Sequence, residues 1–361
     1  MKITALELTT LHVPTGVPVS ASIGSFDAIG YLLLTVRTDA GLEGTSHLQV
    51  PGRFGLGALE SLLRDFEPLL LGTDPRATEA FAERAWRGAF WLGQSGLWAF
   101  ATSAIDVALW DLAGQAAGLP LYRLWGAARD RVSVYGSGRM WLAQPISAIV
   151  AEARDYVAQG FRAVKMRVGG PDPLVDAERV AAVRDAIGKG VDLMVDCNQG
   201  LDLARAVRLA GLLREFDIAW IEEPLPFDDV HGHALLRRRI DIPVAAGENL
   251  YLPGEFRQYL EHDAVDVLMP DLQRVGGYTG MHRIALAAQA RQVRISPHAY
   301  AWHSTHHVAA HGNACLVESM PRGDLMFGRR TELVDGLLPV PQEPGTGLRY
   351  EAGFVQRHRS S

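Results

Sequence analysis

Three acidic residues, each at the end of a short apolar run, recur at a constant interval along the chain. They are Asp196, Glu222 and Glu248, separated by 222 − 196 = 26 and 248 − 222 = 26 residues. One strand, one helix and two short loops need about this length, so three successive parallel strands would bring one carboxylate each to the same rim. Three carboxylates repel one another unless a hard cation lies between them. The spacing therefore predicts a divalent-metal site at the mouth of a barrel.

Short apolar strands alternate with helical segments from about residue 131 onwards, as eight parallel strands of a closed barrel would require. The predicted strands cover residues 132–135, 163–167, 192–196, 219–222, 243–246, 266–269, 293–296 and 314–317. Upstream, strands at 1–14 and 29–38 are followed by helices at 57–70, 78–89 and 96–117, which indicates an α+β unit. Residues after 320 are rich in Gly and Pro and are too few for a domain, so we expect them to pack back on the rest.

The composition describes an ordinary globular protein and excludes some partners. Of 361 residues, 48% are hydrophobic and 21% charged, and the net charge of −6 gives no electrostatic support for binding nucleic acid or an anionic membrane. Cys197 and Cys315 cannot form a disulfide framework and are typical of a reducing compartment. The first residues lack the pattern of a signal peptide, and no apolar run is long enough to span a membrane. The sequence thus predicts a cytoplasmic protein.

The carboxyl ends of the predicted strands, where barrel enzymes carry their catalytic groups, are unusually rich in polar side chains. Lys165 and Arg167 lie two residues apart on one strand, so both point to the same face. If that face is the barrel interior, burying two cations there costs free energy unless anions lie beside them. The remaining polar residues at strand ends are Asp196, Asn198, Glu222, Glu248, Asp271, His298 and Glu318.

The order of these motifs, Lys-x-Arg, Asp-x-Asn, Glu-Glu-Pro, Gly-Glu-Asn, Pro-Asp and Ser-Pro-His, resembles the mandelate racemase subgroup of the enolase superfamily (the mandelate racemase/muconate lactonizing enzyme family). The resemblance covers essentially the full chain. It implies an α/β fold: a modified TIM barrel, (β/α)7β-like, at residues 126–320, an α+β capping domain at 1–125, and a C-terminal segment at 321–361 that packs on the capping domain. It also implies one Mg²⁺ per active site, bound by Asp196, Glu222 and Glu248, and all-oxygen ligands do suit Mg²⁺.

The resemblance also implies roles for other strand-end residues. His298 is similar to the family's general base and Asp271 to its partner, since a carboxylate on one ring nitrogen fixes the tautomer and raises the basicity of the other. Lys165 would neutralise charge on the substrate carboxylate, and Glu318 matches a position that donates a hydrogen bond to the intermediate. Glu223 is expected to be structural, and His303, His306 and His307 to be packing or surface residues.

Substrate contacts are expected from Asn198, Arg167, Tyr300, Trp302 and Ser22. Residues 17–29, with Gly16, Gly24 and Gly30 as hinges, are placed like the family's closing loop, and residues 46–54 could form a second loop. The small residues of the first loop favour a polar substrate.

Arg167 departs from the racemase pattern, which has a second lysine as a base at this position. Deprotonating an arginine at pH 7 costs about 7 kcal/mol and a lysine about 5 kcal/mol, and burial near cations lowers the latter cost readily. Proton transfer on both faces of the substrate is therefore disfavoured, and one-base chemistry is expected. Arg167 would instead bind a hydroxyl or distal carboxylate as a fixed fork of donors.

The function expected on these grounds is abstraction of the proton α to a carboxylate, followed by β-elimination of water from a sugar acid through a metal-stabilised ene-diolate. An enzyme with this activity would be an acid-sugar dehydratase that acts on an aldonate or aldarate. A racemase or epimerase and a lactone cycloisomerase are alternatives within the superfamily, and a non-catalytic sugar-acid binding protein is a remote one. The resemblance also implies a dimer-based homo-oligomer such as an octamer.

Overall fold

The computed structural model describes residues 1–360, which begin with a three-stranded antiparallel sheet. Its strands β1 (Ile3–Ala21), β2 (Gly24–Thr38) and β3 (Glu43–Pro51) pair in the order β1-β2-β3. The helices α1 (Leu56–Leu70), α2 (Thr78–Gly88), α3 (Leu97–Ala117) and α4 (Leu121–Leu124) follow. The predicted α+β unit is present, with all three long helices within one or two residues of their expected bounds.

The two segments predicted as loops are instead largely strand, and this expectation was wrong. Residues 17–29 form the far end of a long β1–β2 hairpin, paired as far as Ala21 and Gly24, and residues 46–51 belong to β3. The pairing register shifts between Pro14 and Val19, and Gly16 lies there with φ 71°. This irregularity lets the hairpin continue past Pro14, which cannot donate to a strand ladder.

A barrel of eight parallel strands follows, and the predicted fold is confirmed. Its strands are β4 (Arg131–Gly136), β5 (Ala163–Arg167), β6 (Asp192–Asp196), β7 (Ile218–Glu222), β8 (Val244–Ala246), β9 (Val267–Leu268), β10 (Arg294–Ile295) and β11 (Leu316–Ser319). They are hydrogen-bonded in chain order from β4 to β10, β11 pairs with β4, and a bridge between Ile295 and Ala314 closes the ring. The outer helices are α5 (Ile146–Ala158), α6 (Pro173–Ile187), α7 (Leu203–Leu213), α8 (Val230–Arg237), α9 (Pro253–Glu261), α10 (Gly277–Ala290) and α11 (Ala301–Ala310).

Side chains alternate between the inside and the outside of the barrel along its central strands. Outward-facing residues such as Val164, Met166 and Val195 pack on the helices in the main core, whereas Met194 and Trp220 belong to a separate cluster that fills the interior. Lys165 and Arg167 share the parity of Ala163, which is in the interior cluster. The barrel interior is therefore apolar along most of the strands and charged at their carboxyl ends.

The C-terminal segment spans both parts of the molecule. The strand β12 (Leu337–Pro339) pairs antiparallel with β4, and α13 (Ala352–His358) is followed by a bridge between Arg359 and Leu11 of β1. A short helix, α12 (Pro321–Asp324), links the last barrel strand to this segment. Within residues 1–360, no helix is both long and apolar enough to cross a membrane.

Candidate active site

Lys165 lies at the centre of a buried group of carboxylates at the carboxyl ends of the strands. Its Nζ lies 2.5 Å from Glu222 Oε1, 2.9 Å from Glu318 Oε1 and 3.4 Å from Asp196 Oδ2. Burial alone would lower the pKa of Lys165, but these three carboxylates together raise it above its usual range. Lys165 is therefore a fixed positive charge, and the three neighbouring carboxylates offset the free-energy cost of burying it.

The three predicted metal ligands lie at the rim, but their carboxylate oxygens do not converge on one point. Asp196 and Glu222 share Lys165, while Glu248 Oε2 lies 3.4 Å from His298 Nε2. As a group, their ligand oxygens do not all fall within 4.8 Å of one another. Asp196 Oδ2 is buried without a hydrogen-bond partner, and burial raises the pKa of Glu222 to about 8 although Lys165 opposes this. The carboxylates thus carry more buried negative charge than their hydrogen bonds satisfy.

Glu223 faces away from this group and is held by amides on the neighbouring loops. Asn249 Nδ2 donates to both of its carboxylate oxygens at 3.0 and 2.9 Å, and Gln199 Nε2 donates to Oε2 at 3.0 Å. Asn198, Gln199 and Glu223 have φ between 39° and 63°, a left-handed conformation that costs free energy at non-glycine residues. Glu223 thereby ties together the ends of β6, β7 and β8, which carry the three predicted ligands.

His298 and Asp271 form the dyad that the sequence predicted. His298 Nδ1 lies 2.6 Å from Asp271 Oδ2, and the other carboxylate oxygen accepts from the Gln273 N–H at 2.8 Å. Arg274 Nη1 lies 3.5 Å from the same Oδ2. Asp271 is fully buried while the imidazole keeps some exposure to the cavity. The carboxylate therefore holds one ring nitrogen and leaves Nε2 facing the rim.

The charge around His298 makes it strongly basic. Burial lowers its pKa, but Glu248, the hydrogen bond to Asp271 and Glu318 raise it to about 10. Ala299 and Tyr300, which follow it, both have φ near 50°. This strained pair turns the chain back so that the Ala299 N–H donates to Glu318 Oε2 at 2.8 Å, fixing the loop that carries His298.

Glu318 at the end of β11 connects the two halves of the site. It contacts Lys165, and its Oε2 lies 4.0 Å from His298 Nε2. Burial raises its pKa, but Lys165, His298 and Arg167 together lower it below its usual range. Glu318 is therefore ionised in the described arrangement and accepts hydrogen bonds rather than donating one.

Arg167 projects into the same rim with its position fixed on three sides. Its Nε lies 3.3 Å from Asp196 Oδ2, Nη1 donates to Ser137 Oγ at 3.3 Å, and the guanidinium stacks over the Trp141 ring at 4.7 Å. Burial lowers the pKa of Arg167, but Asp196 and the other carboxylates raise it overall. The group stays protonated and can only donate hydrogen bonds.

A cavity of about 560 Å³ lies between the barrel mouth and the β1–β2 hairpin, and it includes most of the predicted substrate contacts. Arg167, Asn198, His298, Tyr300 and Trp302 line its barrel side. Asn198 Oδ1 is buried without a hydrogen-bond partner, so it is available to a ligand. The hairpin side is apolar and is formed by Val19, Ala21, Ile23, Phe26 and Ile29.

Ser22 has a different role from the predicted substrate contact. Its hydroxyl lies 2.6 Å from the Cys197 carbonyl and 2.9 Å from the Asn198 carbonyl, so it docks the hairpin on the end of β6. Ser20 Oγ accepts from the Ala143 N–H at 2.9 Å. Because both hydroxyls bind backbone groups, these two serines give no support to the expectation of a polar substrate. Tyr300, which lines the cavity, also donates to Gln273 Oε1 at 2.6 Å.

Several site residues were not identified from the sequence. Arg274 lines the cavity, and its Nη1 donates to the Glu248 carbonyl at 2.7 Å. Its place three residues after Asp271, in the loop leaving a predicted strand, was a usable signal. Trp141, in the loop after β4, and Arg322, on the short helix α12, also line the cavity, but no sequence pattern marked either of them. His47, another lining residue, lies on β3 and within the segment 46–54 that was expected to form a second loop.

Comparison with known proteins identifies the family. Residues 5–126 match the model of the mandelate racemase/muconate lactonizing enzyme N-terminal domain, and residues 148–353 match the enolase C-terminal domain-like model. The chain belongs to the mandelate racemase/muconate lactonizing enzyme family. This confirms the resemblance inferred from the motifs at the strand ends.

Relatives within this enzyme family catalyse more than one reaction. The chain is 32% identical to the L-talarate/galactarate dehydratase of Salmonella typhimurium over 89% of this chain and 80% of the relative. It is also 32% identical to the 3,6-anhydro-alpha-L-galactonate cycloisomerase of Streptomyces coelicolor, over 88% of each chain. Among solved structures, L-talarate dehydratase from Polaromonas sp. JS666, complexed with Mg and L-glucarate, superposes with a TM-score of 0.93 at 34% identity, covering 100% of this chain and 98% of that one.

Proposed function

We propose that this protein removes the proton α to the carboxylate of a sugar acid with Mg²⁺ as cofactor and then eliminates the β-hydroxyl as water, as an acid-sugar dehydratase. The observation that carries the proposal is the Asp271–His298 dyad facing Lys165 and its carboxylates across one cavity. The dehydratase relatives support the reaction class. The reacting acid would lie between base and cations, as proton abstraction next to a carboxylate requires.

The fit of Mg²⁺ is supported by the chemistry of the rim. Asp196, Glu222 and Glu248 offer only oxygen ligands, and Asp196 Oδ2 is buried with no hydrogen-bond partner. These three residues would hold the ion, and a solved relative contains Mg. Bound Mg²⁺ supplies a positive charge that stabilises the negative charge developing on the substrate carboxylate.

Lys165 adds a second positive charge that does not depend on the metal. Its Nζ is already surrounded by Glu222 and Glu318 and stays protonated. Because it is fixed before the substrate arrives, little reorganisation is needed when charge builds up on the carboxylate oxygens of the ene-diolate. Lys165 therefore binds and stabilises that charge rather than moving a proton.

His298 would remove the α-proton through Nε2 while Asp271 holds Nδ1. Its pKa of about 10 includes the charge of Glu248, and this contribution falls once Glu248 binds a cation. After deprotonation, electrons of the ene-diolate form the Cα–Cβ double bond as the β C–O bond breaks. The proton held on His298 then goes to the departing hydroxyl, and the products are water and an enol that tautomerises to a 2-keto-3-deoxy acid.

Arg167 supports elimination rather than racemisation. It is held by Asp196, Ser137 and Trp141, and it stays protonated. A guanidinium in that state cannot accept the α-proton from the face opposite His298, but it can donate to a substrate hydroxyl or carboxylate. We therefore assign Arg167 to substrate binding, with one base in the reaction.

Cycloisomerisation of a cyclic sugar acid is a second candidate, and the apolar wall of the cavity favours it. The hairpin side presents Val19, Ile23 and Phe26, which match the carbon face of a ring better than a row of hydroxyls. A cycloisomerase relative supports this alternative. The first step by His298 would be unchanged, with a ring oxygen instead of a hydroxyl as the leaving group.

The test is a screen of the Mg²⁺-loaded protein against aldonic acids, aldaric acids, sugar-acid lactones and anhydro sugar acids, with detection of 2-keto product. A dehydratase yields a 2-keto-3-deoxy product from open-chain acids, and a cycloisomerase yields an isomer of equal mass from cyclic ones. The Glu222→Gln variant is the control, because it should lose both activities together with the metal. Inversion at the α-carbon without elimination would contradict the assignment of a single base.

A further inference from the structure

A cluster of three histidines lies outside the active site, between helices α10 and α11. His282 lies on α10, His307 on the last turns of α11, and His311 directly after that helix. Their ligand nitrogens all fall within 4.8 Å of one another, and among residues 1–360 no other group of three histidine, cysteine or acidic side chains does so. The cluster is at the opposite end of α11 from His298, so it is a separate site.

The hydrogen bonding of the cluster leaves ligand atoms unused. His282 Nδ1 and His311 Nε2 are 2.7 Å apart, which two neutral rings can share as one hydrogen bond. Both ring nitrogens of His307 are buried without a hydrogen-bond partner, and so is Nε2 of His282. The Met281 carbonyl lies near the His307 ring without good hydrogen-bond geometry. Buried polar atoms without partners are rare in folded proteins, and a bound ion is one way in which they are satisfied.

We propose that His282, His307 and His311 bind a divalent transition-metal ion of the Zn²⁺ class. Three imidazoles and no carboxylate form a donor set that suits Zn²⁺, Cu²⁺ or Ni²⁺ and disfavours Mg²⁺. Zn–N bonds of about 2.0–2.1 Å would require the three rings to move until one nitrogen of each faces a common point.

The surroundings indicate a structural site rather than a catalytic one. Trp125 packs edge-on against His282 with ring centroids 4.4 Å apart, and Trp110 packs against Trp125 with its ring centroid 5.9 Å from that of His282. The metal would join α10 to the end of α11, the helix that begins three residues after His298. The proposal does not depend on the reaction proposed above, and its test uses metal binding alone.

The experiment is a calorimetric titration of the untagged, chelator-treated full chain with Zn²⁺ in excess Mg²⁺, which masks the carboxylate rim. One Zn²⁺ should bind per chain. His311→Gln, at a partly exposed position, should weaken this binding at least tenfold, and His282→Gln should do the same. His231→Gln, an exposed residue that packs against the partly exposed His262 away from the cluster, is the matched control and should bind as the unmodified protein does.

Two further measurements keep the result independent of folding and of the active site. Co²⁺ bound to the unmodified protein in excess Mg²⁺ should show the intense visible absorption of a tetrahedral site, and Glu222→Gln should retain it. Zn²⁺ should raise the melting temperature of the unmodified protein by a few degrees, and of His311→Gln much less. Absence of Zn²⁺ binding in excess Mg²⁺, or equal binding by His311→Gln, would overturn the proposal.

Discussion

Single residues determine the direction of proton transfer in this site, and Asp271 and Arg167 do so most clearly. Asp271 is buried and makes one hydrogen bond to His298 at 2.6 Å, which selects the nitrogen that faces the substrate. Arg167 lies near Asp196 and Trp141 where the racemase pattern has a base. The two residues lead to different predictions, one about pH dependence and one about stereochemistry.

Replacing Asp271 by Asn should shift the pH profile and slow the reaction. Asp271 raises the pKa of His298, so its loss lowers that pKa, and the acidic limb of kcat/KM should move to lower pH. The plateau should also fall about 100-fold or more, because the base is weaker and its tautomer is no longer fixed. A pH series of kcat/KM on the best substrate measures both effects. An unchanged limb would show that His298 is not the titrating base.

Replacing Arg167 by Lys should open a second route for the α-proton. A lysine loses its proton far more readily than an arginine, and with Lys165 beside it and Mg²⁺ bound to the neighbouring carboxylates the variant should slowly invert the α-carbon. Its kcat/KM for elimination should fall roughly tenfold, because the two-pronged contact of the guanidinium is lost. Chiral analysis of recovered substrate is the measurement. Racemisation by the unmodified protein would contradict the assignment.

At the scale of elements, the site depends on strand ends held in unusual backbone conformations and on the hairpin that covers them. The parallel strands and the inward parity of Lys165 and Arg167 were predicted correctly, since a two-residue period and apolar runs carry that information. The β1–β2 hairpin was not predicted correctly, because Gly16 and Gly24 are typical of hinges and Pro14 is typical of the end of a strand. Only the pairing with β2 extends β1 through them, and that is a long-range effect.

The hairpin can be displaced by one methyl group at Gly200. A Cβ there would lie 2.4 Å from the Ser22 Cβ and 3.1 Å from the Cys197 carbonyl oxygen. Gly200→Ala should therefore push the hairpin off the end of β6 and reduce kcat/KM about 10- to 100-fold through misplacement of the substrate. The measurement is steady-state kinetics together with chemical unfolding.

Two control variants separate this effect from a general loss of stability. Gly211→Ala on α7 meets no atom within 4 Å and should leave kcat/KM unchanged. The double variant Gly200→Ala with Ser22→Gly removes the closest contact and should recover much of the activity. If Gly200→Ala were as active as the unmodified protein, the hairpin would not be a functional part of the site.

At the scale of the whole molecule, buried polar contacts that sequence patterns did not reveal join the N-terminal unit to the barrel and to the C-terminal segment. Asp106 on α3 accepts from the Thr279 N–H at 3.0 Å and from its hydroxyl at 2.5 Å, at the start of α10. Asp111 on the same helix accepts from the Thr346 N–H at 2.7 Å. Both acids lie in the helix predicted at residues 96–117, and the threonines that donate these hydrogen bonds are more than 170 residues away in the chain.

The Asp106 contact should make stability depend on pH. Burial raises its folded-state pKa to about 7, well above the unfolded value of about 3.9, so the folded protein binds the extra proton. Its contribution to stability is therefore full below about pH 4 and is lost as the pH rises through about 7. Asp106→Asn should gain stability relative to the unmodified protein over this window, by a few kcal/mol at most. Urea unfolding at several pH values measures it, and a difference independent of pH would contradict this.

The histidine cluster also belongs to this scale, because residues on two separate helices form it. His282 and His307 are 25 residues apart (307 − 282 = 25) on separate helices, and each was unremarkable in its own segment. Motifs at strand ends can be recognised in the sequence because the repeated strand–helix units of the barrel space them regularly. Residues that meet where two helices pack have no such regular spacing, so their proximity is visible only in the folded structure.

The most direct test of the central claim is turnover in D₂O by the Mg²⁺-loaded protein and by its His298→Asn variant. Nuclear magnetic resonance of the best acid from the screen should show loss of the α-proton and a 2-keto-3-deoxy product carrying one solvent deuterium at C3. His298→Asn should bind Mg²⁺ normally, yet show neither α-proton loss nor product. Near-normal turnover by His298→Asn, or product formed with the α-proton retained, would contradict the account.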